Sequence, residues 1–211
     1  MSNKLGNVEV DFIFIHIPKN AGSSIVEAMG LSGTRHYTAS KLREHIGWMR
    51  YYFRFTFAFV RNPWDRFLSL YYYARLKESR YHSAINPKEA PHGKHEDYDL
   101  LKDATVEQCA YYLEEGRLQH DDHINHWRPQ SDWLTDDRGQ IIVDFIGRVE
   151  TMDEDFQTIA RRLDLSAGSL PIVNQSRDPE EHSYEKEFTE NARRIVTDHY
   201  QEDIRRFGYS F

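Results

Sequence analysis

The chain has 211 residues, which is enough for one domain with a buried core and short for two. Aromatic residues make up 14% and charged residues 29% of the sequence, a balance typical of a globular protein rather than a disordered one. The net charge of -7 disfavours binding to nucleic acid or to an anionic membrane, so we expect neither partner.

Cysteine and apolar patterning add three further expectations. Cys109 is the only cysteine, which excludes an intrachain disulfide. Val106, Ala110 and Leu113 recur around it at helical spacing, which favours a buried apolar role for the thiol. No apolar run reaches the length of a membrane span, and the N-terminus has no signal-peptide pattern.

The first predicted element is a strand over residues 12–15, where four large apolar residues follow one another. A turn through Pro18 leads into a helix that ends at Gly30. Backbone N–H groups, two hydroxyls and the Lys19 ammonium converge where the strand meets the helix, which favours binding of a phosphate group. The predicted phosphate-binding residues are Lys19, Asn20, Ala21, Gly22, Ser23 and Ser24. An ordinary ATPase loop fits poorly, because its lysine follows the last glycine.

A second βα unit comes next, with a helix predicted over 41–52, a strand over 55–60 and a helix over 63–77. Asn62 suits the N-cap of the last helix, and Pro63 suits its first position.

Arg61 and Ser69 form a second predicted anion site. Arg61 ends the strand, and Ser69 lies two helical turns after Asn62, so both can reach one phosphate. Alternatively, Arg61 forms a salt bridge with Asp65, and Ser69 is a small residue that permits close helix packing. Two anion sites at the ends of parallel strands predict a ligand with two separated phosphate groups.

The remaining chain continues the alternation of strands and helices. Residues 78–99 show no periodicity, which is typical of a lid, a binding loop or disorder. The later elements are a helix from Thr105 to Gly116 opened by a capping box with Gln108, a strand over 141–146, a helix from Thr151 to Leu163 and a final helix over 189–207. This order predicts a three-layer α/β fold, a central parallel sheet flanked by helices, as a single domain over residues 1–211.

Three histidines, His120, His123 and His126, recur beside acidic residues and resemble a metal site. Steps of three residues drift around a helix, so the first and last side chains would diverge. We therefore favour a hydrated polar helix face and expect no metal.

The segment HIPKNAGSS at residues 16–24 resembles the 5′-phosphosulfate loop of carbohydrate sulfotransferases, the group that contains heparan sulfate 2-O-sulfotransferase and its bacterial relatives. The segment RNPWDRFLSLY at residues 61–71 resembles their 3′-phosphate motif. Similar pieces of the bacterial members follow in order at residues 128–130, 144–150, 170–176 and 207–211.

This resemblance implies a P-loop-like fold and transfer of a sulfuryl group from 3′-phosphoadenosine 5′-phosphosulfate (PAPS) to a carbohydrate hydroxyl. Lys19 would face the bridging oxygen of the donor as a catalytic cation. His36 matches the histidine that acts as the base in 2-O-sulfotransferases, and His45 is a weaker candidate. The donor is already activated, so the reaction requires no metal.

Two further pairs of residues follow from the same resemblance. Ser176 and Arg177 lie where relatives close a loop over the nucleotide, although a solvent-facing basic loop explains them equally well. Arg128 and Gln130 are assigned to the acceptor pocket, although a turn at Pro129 explains them nearly as well.

Two other functions stay open at this stage. One is a nucleotide kinase or other P-loop phosphotransferase, and the other is a non-catalytic PAPS-binding module. Animal relatives carry an N-terminal membrane helix that this chain lacks, so we expect a soluble, cytoplasmic enzyme of bacterial type. The acceptor and the oligomeric state are not readable from the sequence.

Overall fold

Three parallel strands form one sheet in the part of the chain that the computed structural model describes, namely residues 7–9, 11–31, 34–77, 94–119, 125–165 and 183–211. The strands are β1 (Phe12–Ile15), β2 (Phe55–Val60) and β3 (Phe145–Arg148), in that order, with β2 central. Their carboxyl ends therefore lie at one edge of the sheet, where ligands of open parallel sheets bind.

The register of the sheet places large aromatic side chains on one face. Phe12 pairs with Phe55 and Phe14 with Phe57, while Phe59 pairs with Gly147. Because successive side chains of a strand alternate between faces, Phe12 and Phe14 point the same way. Together they form an aromatic layer that is buried in the core.

Two helices pack on this aromatic layer. Helix α1 (Gly22–Ala28) follows β1 and contributes the buried Ile25, and helix α8 (Met152–Arg162) follows β3 and contributes Phe156 and Ile159. This βα arrangement agrees with the predicted mixed α/β class.

Between β1 and β2 the chain forms α2 (Ala39–Ile46) and α3 (Trp48–Tyr52) rather than the single helix predicted over 41–52. Gly47 has a φ of 83°, which is outside the helical region and interrupts the helix. The side chains of Trp48 and Tyr52 on α3 are exposed, as is that of Phe53, which follows the helix.

A second compact unit contains residues 63–128 and 176–211, whereas residues 1–62 and 129–175 form the first. Within the second unit, α9 (Glu190–His199) packs against α4 (Pro63–Ala74) and α6 (Val106–Glu114). The remaining α-helices of the described residues are α5 (Tyr98–Leu101) and α10 (Gln201–Phe207) in this unit and α7 (Ser131–Leu134) in the first. The sequence-based expectation of a single domain over 1–211 stays a prediction.

Cys109 lies in the core of the second unit, and burial raises the pKa of its thiol well above the usual value. The predicted capping box is present: the Thr105 hydroxyl accepts from the Gln108 backbone N–H, and the Gln108 side chain accepts from the Thr105 backbone N–H. Both features were predicted correctly from the sequence.

Three element boundaries differ from the prediction. The third strand is β3 rather than residues 141–146, because Ile141 instead forms an isolated bridge with Thr135. The predicted final helix is divided at Tyr200 into α9 and α10. Helix α4 ends at Ala74, three residues before the predicted end.

The polar helix face predicted for the three histidines is wrong for His126, which is buried in a turn. Its backbone carbonyl accepts a hydrogen bond from the buried Arg66. His120 and His123 lie outside the described residues.

Candidate functional site

The loop between β1 and α1 has an unusual backbone for residues that are not glycine. Lys19 has a φ of 65° and Ala21 a φ of 57°, so both lie in the left-handed region. Asn20 between them does not have a positive φ. Alternation of this kind turns neighbouring backbone N–H groups towards one side and forms a concavity for anions. Left-handed non-glycine residues persist only where the surrounding structure holds them, and they are concentrated at functional sites.

Asn20 supplies that support from inside the protein. Its buried side-chain Nδ2 donates to the Phe59 carbonyl at 2.7 Å and to Gln130 Oε1 at 2.6 Å. The loop is thereby tied to the carboxyl half of the central strand β2.

Gln130 completes this connection at the end of β2. It is fully buried, its Oε1 accepts from the Arg61 backbone N–H at 2.9 Å, and its Nε2 donates to the Arg61 carbonyl at 2.8 Å. One amide therefore connects the loop after β1, the end of β2 and the start of α7. Its assigned contribution to the acceptor pocket stays a prediction.

Arg61 and Lys19 meet at the edge of the sheet. Arg61 Nη1 donates to the Lys19 carbonyl at 3.2 Å, so the guanidinium lies against the loop. Burial and the positive charge of Arg61 lower the pKa of Lys19 from 10.5 to about 8. Two cations held together, one of them partly desolvated, form a site that an anion stabilises.

Gly22, Ser23 and Ser24 open α1 immediately after this loop. Gly22 and Ser24 are buried, and Ser23 is partly exposed. A Cβ atom at Gly22 would lie 1.9 Å from His16 Nε2, so only glycine fits beneath the His16 ring. Of the N–H groups in this first turn, that of Ser24 donates to the Ala21 carbonyl at 3.0 Å. The N–H groups that begin a helix have no intrahelical partner and are suited to binding anions.

His36 is the histidine that the structure brings next to this loop. Its ring lies edge-on to His16, with centroids 4.5 Å apart, and edge-on to the buried Trp133 at 6.5 Å. His45 lies exposed on α2 and stacks on Tyr37 at 5.8 Å. His16 has no role in the sequence-based prediction, although it begins the quoted motif at 16–24.

The other predicted residues fall into two groups. Ser69, buried on α4, and Arg128, exposed, belong to the second unit, which is described by itself. Ser176 and Arg177 lie outside the described residues. The structure therefore brings together Lys19, Asn20, Ala21, Gly22, Ser23, Ser24, His36, Arg61 and Gln130, all in the first unit.

The described residues contain no group of three histidine, cysteine or acidic side chains that could hold a metal ion. In the same ranges, every helix is too short or too polar to cross a membrane. Lys19 and Arg61 place two positive charges at the site, and their sign suits a phosphate-bearing ligand.

Comparison with known proteins identifies the family but no individual relative. No curated protein and no solved structure is significantly similar to the chain. A match to the sulfotransferase family runs over residues 7–210 and so includes the loop, both cations and His36. Because this match covers nearly the whole chain, the chain belongs to the sulfotransferase family.

Proposed function

We propose that this protein transfers a sulfuryl group from PAPS to a hydroxyl of a carbohydrate-type acceptor. The observation that carries the proposal is the pairing of Lys19 with Arg61 beside the left-handed loop, at the carboxyl ends of adjacent parallel strands. The proposal includes a P-loop-like fold, which is supported by the order of β1, the loop and α1.

The residues at this site fit an anionic donor. Loop N–H groups, Ser23 and Ser24 would bind the 5′-phosphate, and Lys19 would face the oxygen that bridges phosphorus and sulfur. As that S–O bond breaks, its electron pair stays on the phosphate oxygen, where the Lys19 ammonium stabilises the new charge. The acceptor oxygen forms the new S–O bond, and adenosine 3′,5′-bisphosphate leaves.

His36 would accept the proton of the acceptor hydroxyl as this bond forms. The proposal is supported by its contact with His16, which in turn lies over Gly22 of the donor loop. An imidazole is suited to this step because its ordinary pKa lies near neutrality.

The rest of the donor and the acceptor would engage residues assigned from the motifs. Arg61 and Ser69 would bind the 3′-phosphate, and Ser176 and Arg177 would contact the nucleotide. Arg128 and Gln130 are assigned to the acceptor side. The carbohydrate class of acceptor follows from the resemblance of segments 16–24 and 61–71 to carbohydrate sulfotransferases.

Sulfate transfer from PAPS to a panel of glycans and simple alcohols tests this function directly. We expect transfer by the wild type, loss of nearly all turnover in His36→Ala, and unchanged affinity of that variant for adenosine 3′,5′-bisphosphate in calorimetry. His45→Ala is the matched control and should keep its turnover. Near-normal turnover in His36→Ala would remove His36 from the mechanism.

The same preparation separates the other functions. Thermal stabilisation by adenosine 3′,5′-bisphosphate but not by ATP with Mg²⁺ is expected, because the lysine position does not match that of ATPases. The reverse preference would indicate a phosphotransferase. Binding without transfer to any acceptor would indicate a PAPS-binding module.

A further inference from the structure

His16 is held on several sides in the donor loop. Its ring stacks on Phe14 with centroids 5.4 Å apart and occupies the space that a Cβ of Gly22 would need. Its Nδ1 lies 2.7 Å from the Thr34 hydroxyl oxygen, within hydrogen-bonding distance. The His16 ring is therefore held by stacking on Phe14, by packing against Gly22 and by a hydrogen bond with Thr34.

The His16 ring also packs against His36. The two rings are 4.5 Å apart between centroids at an interplanar angle of 72°. Trp133 also lies edge-on to His36, so the His36 ring packs against two neighbouring rings. A rotation of His16 would therefore change the packing of His36.

A single substitution can remove the Thr34 hydroxyl, and with it the hydrogen bond to His16, without changing either histidine. A hydrogen bond to one ring nitrogen of a histidine fixes the ring and decides which nitrogen carries the proton. Thr34 is thus placed to hold the His16 ring through its hydroxyl.

We propose that His16 is a positioning residue that holds His36 in its reactive orientation, and that the Thr34 hydroxyl locks His16 in place. The proposal rests on the proposed function, in which His36 accepts the acceptor proton. A small displacement of a catalytic group lowers the rate without weakening ligand binding, since it acts on orientation alone.

Thr34→Val tests the lock, because valine has the shape of threonine without the hydroxyl. We expect kcat to fall about tenfold while KM for the donor stays within about twofold. Thr34→Ser keeps the hydroxyl and should restore kcat to within about twofold of the wild type. Equal kcat values in Thr34→Val and the wild type would overturn the proposal, whatever the unfolding temperature of the variant.

A double variant separates positioning from a general structural effect. If Thr34 acts through His36, Thr34→Val should change the residual rate of His36→Ala by less than about twofold. The same tenfold loss in the His36→Ala background would overturn the proposal, because the effect would then not pass through His36.

Imidazole nitrogen signals in long-range ¹H–¹⁵N spectra test the lock without any sulfate transfer. Thr34→Val should shift the signals of both His16 and His36, and Thr34→Ser should leave them near their wild-type positions. Unshifted His36 signals in Thr34→Val would overturn the positioning. Shifted signals in a protein that transfers no sulfate would instead overturn the proposed function alone.

Discussion

Lys19 has a left-handed backbone conformation and a charge that both burial and Arg61 disfavour. Strained residues with disfavoured charges are typical of ligand sites, because a bound anion offsets both the burial of the charge and its repulsion by a neighbouring cation. This lysine therefore lowers the free energy of unfolding of the ligand-free protein, and binding of the anionic donor would raise it.

Lys19→Met should raise the stability of the ligand-free protein at neutral pH, because it removes the disfavoured charge and keeps the side-chain length. Since the pKa falls from 10.5 to about 8 on folding, the unfolded chain binds more protons between these values, and wild-type stability rises with pH there. The advantage of Lys19→Met should therefore shrink above pH 8. Chemical denaturation at several pH values measures it.

The same variant should lose affinity for adenosine 3′,5′-bisphosphate, whereas Lys19→Arg, which keeps a positive charge at all accessible pH values, should retain part of it. A Lys19→Met protein that is less stable than the wild type at neutral pH would contradict the account.

Gln130 is the residue on which the loop geometry depends. Gln130→Leu leaves the Asn20 amide and both backbone groups of Arg61 without their buried partner. We expect a loss of about 2–4 kcal/mol in the free energy of unfolding, which corresponds to a Tm lower by several degrees. Urea denaturation followed by tryptophan fluorescence would measure it.

Gln130→Glu provides the control for that change. It keeps an acceptor for Asn20 but places an oxygen against the Arg61 carbonyl, so its stability should improve at lower pH as the carboxyl becomes protonated and can donate. Gln130→Leu as stable as the wild type would mean that Gln130 does not hold the loop.

At the scale of elements, the approach of α8 to the sheet depends on Gly147 in β3. A Cβ atom there would lie 2.7 Å from Cε1 of the Phe59 ring and 3.1 Å from Cβ of Asp155 in α8. The absence of a side chain at this position lets the aromatic layer and the helix pack closely.

Gly147→Ala should therefore destabilise the protein by about 1–3 kcal/mol through overpacking. Phe59→Leu removes the ring that the new methyl group meets, so the double variant should lose less than the sum of the two single changes. Equilibrium unfolding of all four proteins gives this coupling, and strict additivity would argue against the contact.

The elements that were predicted correctly are those whose signal is local. The apolar runs of β1 and β2 and the capping box at Thr105 are each contained in a few neighbouring residues. The break at Gly47 was missed because Trp48 and Tyr51 continue the apolar pattern across it, and only the backbone conformation shows the interruption.

At the scale of the whole molecule, the site depends on contacts between distant parts of the chain. Asn20 and Gln130 are 110 residues apart in sequence, and Gln130 and Arg61 are 69 apart. The charges and the loop could be predicted from two short segments, but neither the burial of Gln130 nor the contact of His16 with His36 has a local pattern. Those contacts follow only from the tertiary fold.

The net charge of -7 has a consequence for acceptors, because a polyanionic glycan would be repelled at long range. With saturating donor, kcat/KM for such a glycan should rise about twofold or more from low to physiological ionic strength, as salt screens the repulsion. A neutral acceptor is the control and should show little change. A rate that falls with salt for the polyanion alone would contradict this expectation.

Cys109 offers a practical route to following this chemistry in solution. Because the sole thiol is enclosed in the core and its pKa is raised, we expect it to react poorly with maleimides. A cysteine introduced at Tyr52, a position whose side chain is 73% exposed, would be the one site that accepts a fluorescent dye. The native sequence thus needs no thiol removed before it is labelled for single-molecule work.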